Sequence, residues 1–164
     1  MRISCCAGVH AKNSIPSPGR SCKYTGQSVR ALPIRLIAVG KKRSPGLRSN
    51  PKNARDVKAQ VEDEDMAVMN IIKSDDWVVM LDENGLDIRS EKMAELIGDA
   101  GNTGASRISF CIGGPYGHGE KMRERANVSI KLSSMVLNHQ IALLVLMEQL
   151  YRSWTILKDQ KYHH

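Results

Sequence analysis

The chain has 164 residues and a formal net charge of +7, a length that suits one domain with a modest core. The charge is uneven, because residues 1–55 hold 12 Lys/Arg and no acid, whereas residues 56–164 hold 12 Lys/Arg against 17 Asp/Glu, a net charge of −5. The globular part is therefore acidic, and charge alone gives no ground for classing it as a basic nucleic-acid binder.

Residues 1–33 have the composition of a targeting segment rather than of a folded element. They contain five basic residues, no acid, several serines and scattered Pro and Gly, without the apolar run of a signal peptide. This pattern predicts an organelle transit peptide, and its Ser and Cys content favours a plastid over a mitochondrion. The alternative is a disordered basic tail that itself touches nucleic acid.

After this segment, strand and helix patterns alternate. Ile34–Val39 predicts a short strand, and the basic residues 40–52, broken by Pro and Gly, predict a loop. Residues 53–73 predict a helix with an apolar stripe, on which Glu62–Asp65 form a solvated acidic face. Trp77–Leu81 is a continuous apolar run, typical of a strand that is covered on both faces.

The alternation continues to the end of the chain. Asp82–Gly85 predicts a turn, and Ser90 is a candidate N-cap for a helix that ends near Asp99. The remaining predicted elements are a strand at 107–112, a short helix at 120–126, a strand at 128–132 and a helix at 140–157. This order predicts an α/β domain with a mainly parallel sheet. The last helix is so apolar that we expect its burial on several sides, by the core or by a second subunit.

Metal and membrane sites are not indicated by the sequence. Cys111 lies in an apolar run and is most simply a core residue, and no Cys/His spacing is typical of zinc. The apolar run Ile141–Met147 has only seven residues, too few to span a bilayer. We therefore expect no metal and no membrane partner.

Residues Gly113–Gly119 form a glycine-rich loop after the strand at 107–112. The spacing from Gly114 to Gly119 matches the G-x-x-x-x-G of a P-loop. However, Glu120 stands where that motif needs Lys, and a carboxylate would repel phosphate. The G-x-G-x-x-G dinucleotide fingerprint does not occur. Two interpretations stay open. The glycines serve tight turns only, or they admit a ligand beyond the strand's carboxyl end, in one crevice with the loop after Leu81.

Five segments together carry a resemblance to a known family. They are IRLIAVGK, VVMLDENG, ISFCIGGPYG, LSSMVLNHQIALLVLMEQLYRSW and the terminal YHH, in this order and spacing. From about Ile34 to His164 the chain resembles the RlmH family of SPOUT-class methyltransferases. Its members use S-adenosylmethionine to methylate N3 of a pseudouridine in large-subunit ribosomal RNA. The most specific pieces are the IGGP-x-G loop and the segment from His139 to Trp154.

The resemblance implies a domain at residues 34–164 with a deep trefoil knot at its carboxyl-terminal end. It also implies a homodimer, to whose interface the last helix contributes, and ribosomal RNA as partner. S-adenosylmethionine is expected in the knot, against three loops. Leu81 is the implied contact in the first loop and Gly114 in the second. The third loop contributes Ser133, Ser134, Met135, Val136, Leu137 and Asn138.

The resemblance also implies catalytic residues. Methyl transfer needs a positioned nucleophile and removal of the N3 proton, for which His139 is a candidate base or orienter. A structural role at the start of a helix is the alternative for His139. The family's terminal Tyr-His-basic tail reaches toward the active site, and Tyr162 and His163 match it. His164 stands where members usually carry Arg or Lys.

The chain departs from the family between residues 40 and 52. Members place a helix and a further strand between the AVGK loop and the KNA start of the next helix, and this segment is too short for both. We therefore expect one helix–strand unit to be missing, an open sheet edge and reduced stability. The rival hypothesis is a non-catalytic knotted dimer that binds ribosomal RNA or the cofactor without turnover.

Overall fold

The computed structural model describes residues 22–39 and 53–161, in which four strands and four helices alternate. The strands are β1 (Ile34–Ala38), β2 (Asp76–Asp87), β3 (Arg107–Ile112) and β4 (Val128–Lys131). The helices are α1 (Ala54–Met69), α2 (Ser90–Asn102), α3 (Glu120–Arg125) and α4 (His139–Leu157). The predicted α/β class is confirmed, whereas the loop predicted at 40–52 lies outside the described residues.

The four strands form one parallel sheet in the order β1-β3-β2-β4. Their carboxyl ends therefore meet at one edge, where ligands bind in open α/β sheets. The turn predicted at Asp82–Gly85 lies inside β2 rather than after it, and these four residues leave the pairing with β4, because Leu81 and Leu86 both pair with Ile130. Gly85 permits this path, since a Cβ there would overlap the backbone of Ile130.

Helices cover both faces of the sheet and bury two separate apolar clusters. On one face, α2 and α4 pack against strand residues such as Phe110. On the other face, Val68 of α1 and Met122 of α3 pack with Met80 and Cys111. Cys111 is 1% exposed, and burial raises the pKa of its thiol to about 12. It is therefore an unreactive core residue, as predicted.

The structure corrects two helix predictions. The stripe predicted for α1 is only partly correct, because Val68 is buried but Met66 is 52% exposed. Asp65, predicted to lie on a solvated face, is only 4% exposed. Ser90 is not the N-cap of α2 but its first residue, and its hydroxyl donates to the side chain of Gln149 on α4 over 2.7 Å.

Residues 22–33, predicted to belong to a transit peptide, pack on the domain. Cys22 is 4% exposed and belongs to the same apolar cluster as α2 and α4. The Tyr24 hydroxyl donates to Asp99 over 2.6 Å, and its ring lies where a Cβ on Gly98 would be. The folded part thus begins no later than Cys22, twelve residues before the predicted start of the domain at residue 34. The transit peptide stays a prediction for the residues that precede it.

Candidate functional site

The three regions predicted to contact a cofactor leave the sheet at its carboxyl edge. Leu81 pairs with Ile112 of β3 on one side and with Ile130 of β4 on the other. Gly114 comes two residues after Ile112, and the 133–138 loop begins two residues after β4 ends. The parallel sheet therefore brings these regions to the same edge although they are far apart in sequence.

The glycine loop contains a tight turn. The Gly117 N–H donates to the Gly114 carbonyl over 3.0 Å, and Gly117 has a φ of 81°, a conformation that favours glycine. Gly113 also lacks room for a side chain, because a Cβ there would lie 3.0 Å from the His118 ring. The loop therefore contains a tight turn, which is compatible with both interpretations of its glycines, and the turn presents its backbone at the sheet edge.

His118 ties the glycine loop to the middle of β2. Its Nε2–H donates to the carbonyl oxygen of Leu81 over 3.0 Å, and the residue is 8% exposed. Burial lowers the pKa of His118. It outweighs the Leu81 carbonyl, Asp82 and Asp65, each of which alone would raise that pKa. The imidazole is thus favoured in its neutral form, with the proton on Nε2. Sequence reasoning missed this residue, because a single His after a glycine run has no distinctive pattern.

An ion pair makes a second connection between the same two regions. Arg123 of α3 donates to the carboxylate of Asp82 over 2.7 Å. Burial alone would raise the pKa of Asp82, but the Asn84 N–H and the Arg123 charge outweigh it and lower that pKa. Asp82 is therefore ionised at neutral pH and holds α3 beside β2.

Two consecutive carboxylates of α1 lie against the two ends of the glycine loop. Asp65 accepts hydrogen bonds from the N–H groups of Gly119 at 2.9 Å and Met122 at 3.1 Å, so it caps α3 from another helix. Glu64 lies against Gly114, and its Oε2 is buried without a hydrogen-bond partner among the described residues. A Cβ at Gly114 or Gly119 would overlap a carboxylate oxygen, so a side chain at either position would force Glu64 or Asp65 to shift.

The third predicted region, residues 133–138, is largely exposed. The Ser133 hydroxyl accepts from the N–H of Met135 over 2.9 Å, and Asn138 caps α4 by accepting from the N–H of Ile141. Met135 is 76% exposed and Val136 is 89% exposed. Two large apolar side chains with so little cover mark a surface that can bind an apolar ligand or a partner.

Of the three predicted catalytic residues, the structure describes one. His139 is the first residue of α4, and its Nδ1 is buried without a hydrogen-bond partner among the residues described. Such a nitrogen can accept a proton or orient a ligand. Tyr162 and His163 lie outside the described residues, so their approach to the site stays a prediction.

A cleft of about 470 Å³ opens next to the 133–138 loop. It lies between β4, the beginning of α2 and α4, and its lining residues include Arg89, Glu91, Leu132 and Gln149. Leu81 and Gly114 do not line it. The cleft and the predicted cofactor contacts are therefore neighbouring features rather than a single cavity.

Residues 22–39 and 53–161 contain neither a membrane-spanning helix nor a cluster of metal ligands. No helix in these ranges is both long and apolar enough to cross a bilayer. No group of three or more His, Cys, Asp or Glu side chains in them could hold a metal ion.

Comparisons with known proteins identify similar chains. A family model described as "Predicted SPOUT methyltransferase" matches residues 2–163. An Arabidopsis thaliana protein named "Putative RNA methyltransferase" is 62% identical to this chain. The alignment is 193 residues long and includes 100% of both chains.

Bacterial relatives carry the name "Ribosomal RNA large subunit methyltransferase H". The relative from Christiangramia forsetii is 44% identical, over 66% of this chain and 69% of its own length. The one from Cytophaga hutchinsonii is 33% identical, over 87% of this chain and 86% of its own length. The resemblance predicted from the five segments is confirmed, and the chain belongs to the SPOUT methyltransferase family.

Proposed function

We propose that the chain is an S-adenosylmethionine-dependent methyltransferase that modifies N3 of a pseudouridine in large-subunit ribosomal RNA. The observation that carries this proposal is the convergence of the three loops at one sheet edge, where His118 ties the glycine loop to Leu81. The names of the bacterial relatives support ribosomal RNA as the substrate class. The position of the methyl group rests on the resemblance to the RlmH family.

The residues at this edge fit the cofactor. Adenine needs an apolar slot and backbone hydrogen bonds, and the exposed side chains of Met135 and Val136 with their loop backbone offer both. The unpaired Oε2 of Glu64 offers an acceptor to a cationic group beside Gly114. The proposed binding residues are Leu81, Gly114, Ser133, Ser134, Met135, Val136, Leu137 and Asn138. We include the deep trefoil knot around these loops in the proposal.

The bound cofactor would supply the methyl group, and the chain would orient the target base and remove its N3 proton. His139 is the proposed base or orienter, because its buried Nδ1 has no other described partner. Tyr162 and His163 are proposed to complete the site from the chain terminus. His164 offers the RNA backbone a weaker contact than the Arg or Lys of other members, since its charge is partial at neutral pH.

A homodimer is part of the proposal. One face of α4 exposes large apolar or aromatic side chains at helical spacing, each between 42% and 65% exposed: Ile141, Leu144, Met147, Tyr151 and Trp154. A patch of this kind on a small domain usually marks an interface. We propose that α4 of a second copy covers it.

The proposed location is the plastid, with the mitochondrion as the alternative. This rests on the basic, acid-free composition of the residues that precede Cys22. Import of a fluorescent fusion of this segment into isolated organelles tests it.

Titration calorimetry with S-adenosylmethionine, followed by methyl transfer to ribosomes from a strain that lacks the modification, tests the activity. We expect binding, and one methyl group transferred per target nucleotide. Absence of binding would reject the cofactor assignment.

A second candidate function is binding of ribosomal RNA or cofactor without turnover. It is favoured by the short connection between β1 and α1. The alignment with the Arabidopsis relative supports a deletion, since it spans 193 residues, 29 more than the 164 of this chain. Cofactor binding without methyl transfer in the same experiment would favour this candidate.

A further inference from the structure

The carboxylate of Glu64 has one partnered and one unpartnered oxygen. Its Oε1 accepts a hydrogen bond from the side chain of Gln60 over 2.8 Å, one turn earlier on α1. Its Oε2 is buried and has no hydrogen-bond partner among the described residues. The same oxygen lies in contact with Gly114, the second glycine of the loop. Gln60 therefore holds the carboxylate in an orientation that aims a free acceptor at the glycine loop.

A buried acceptor without a donor is costly, so such an atom needs an explanation. The neighbouring Asp65 shows the contrast, because both of its oxygens accept backbone N–H groups, from Gly119 and Met122. Each oxygen of Asp65 thus has a hydrogen-bond partner, and the residue holds the end of the loop. Glu64 differs, because its Oε2 has no such donor among the described residues and can accept one from a ligand.

We propose that Glu64 Oε2 accepts a hydrogen bond from the α-ammonium group of S-adenosylmethionine. This inference rests on the proposed function and adds to it a residue on α1, outside the three loops. The cofactor carries two positive centres, but its sulfonium has no N–H or O–H to donate. The α-ammonium has three N–H donors, and a charge-assisted hydrogen bond to a buried carboxylate is among the strong ones.

Calorimetry with three ligands tests this assignment on the full chain. S-adenosylmethionine and S-adenosylhomocysteine both carry the α-ammonium, whereas 5′-methylthioadenosine keeps the adenosine and the thioether and lacks the amino-acid part. In Glu64→Gln, we expect the first two to bind about tenfold more weakly, as loss of one charge-assisted bond implies. Binding of 5′-methylthioadenosine should not change.

Glu62→Gln is the matched control. Glu62 lies on the same helix, and its exposed carboxylate pairs with Lys58 at 3.9 Å. All three ligands should bind this variant as they bind the native chain. Glu64→Asp, which keeps the charge but withdraws it from Gly114 by one methylene, should show the same selective loss as Glu64→Gln.

The outcomes separate this inference from the proposed function. If Glu64→Gln lowers the affinity for all three ligands equally, Glu64 only supports the loop, and the assignment is wrong. Unchanged affinity for S-adenosylmethionine in that variant would also overturn it. If the native chain binds none of the three ligands, the proposed function falls, and this inference falls with it.

Discussion

Asp65 is buried, and two backbone N–H groups take the place of water at its carboxylate oxygens. Two other acidic residues of the same helix turn, Asp63 and Glu62, are exposed. A run of four acidic residues is normally a solvated helix face, so composition alone misleads at this position. The spacing carries a better signal, since Val61, Asp65 and Val68 are four and three residues apart and share one face of α1.

Removing the Asp65 carboxylate should destabilise the domain. Asp65→Ala leaves the N–H groups of Gly119 and Met122 without their acceptor, and we expect a loss of about 3 kcal/mol in the free energy of unfolding. Asp63→Ala removes an exposed carboxylate and should change it by less than about 0.5 kcal/mol. Urea unfolding of both variants measures the difference, and equal losses would contradict the capping role.

His118 should make stability depend on pH. Because burial lowers the pKa of His118 below its ordinary value of 6.5, the unfolded chain binds more protons than the folded chain below that pH. The free energy of unfolding should therefore fall as the pH drops below about 6.5, by at most about 1.4 kcal/mol per pH unit. The charged side chains that act on His118 come from three elements: Asp65 of α1, Asp82 of β2 and Arg123 of α3.

His118→Gln isolates this contribution. The Gln amide can still donate to the Leu81 carbonyl, but it does not titrate. Urea unfolding from about pH 7.5 to about pH 5 should give a shallower decline for the variant than for the native chain. Parallel declines would assign the pH dependence to other groups.

At the scale of elements, residues 22–33 and α2 fit each other through two glycines. The Tyr24 ring occupies the space of a Cβ on Gly98, and the Arg30 carbonyl lies 2.7 Å from the position of a Cβ on Gly101. The segment thus packs closely on the helix rather than lying loosely over it. Its composition predicted a removable leader because composition does not report a complementary surface elsewhere in the chain.

Truncation separates the leader from the domain. A chain that starts at residue 22 should unfold at the same urea concentration as the full chain. A chain that starts at residue 34 loses the buried Cys22 and the packing of Tyr24, and we expect it to be less stable by at least about 3 kcal/mol. Equal stability of the two truncated chains would show that residues 22–33 are dispensable.

The exposed face of α4 predicts the oligomeric state. Leu144 is 65% exposed near the middle of the apolar face, so Leu144→Glu should place a charge in the proposed interface. We expect this variant to sediment as a monomer at concentrations where the native chain is a dimer. Gln140→Glu, at an exposed polar position of the same helix, should leave the dimer intact. A Leu144→Glu variant that stays dimeric would place the interface elsewhere.

At the scale of the whole molecule, β1 forms one edge of the described sheet. It pairs only with β3 in that sheet, and its first residue, Ile34, is 44% exposed. An open edge with an apolar residue favours pairing with other chains. The position of this edge, directly before the short connection to α1, agrees with the proposed loss of a helix–strand unit there.

Restoring the lost unit should stabilise the chain. A chimera that carries the corresponding, longer segment of the Arabidopsis relative in place of residues 40–52 is expected to cover the β1 edge. We expect a higher urea midpoint and less aggregation on heating, with unchanged affinity for S-adenosylmethionine, because β1 lies two strands from Leu81. A chimera no more stable than the native chain would contradict the proposed loss.

The strands and helices were predictable where a local pattern is sufficient. β3 begins and ends at the predicted residues, because an apolar run between turn residues specifies a covered strand. The α/β class followed from the alternation, and the family followed from the five segments. The extension of β2 was not predictable, since it depends on the close contact of Gly85 with the backbone of Ile130.

The sequence by itself determined the order of the elements, the family and the identity of the loops at the proposed site. Each of these depends on residue type and spacing along the chain. Only the tertiary structure decided which side chains support those loops. Three long-range contacts do this. His118 donates to Leu81, 37 positions away, and Asp65 accepts from Met122, 57 positions away. Glu64 contacts Gly114, 50 positions away. Such pairs become neighbours only when the parallel sheet brings the strand ends to one edge.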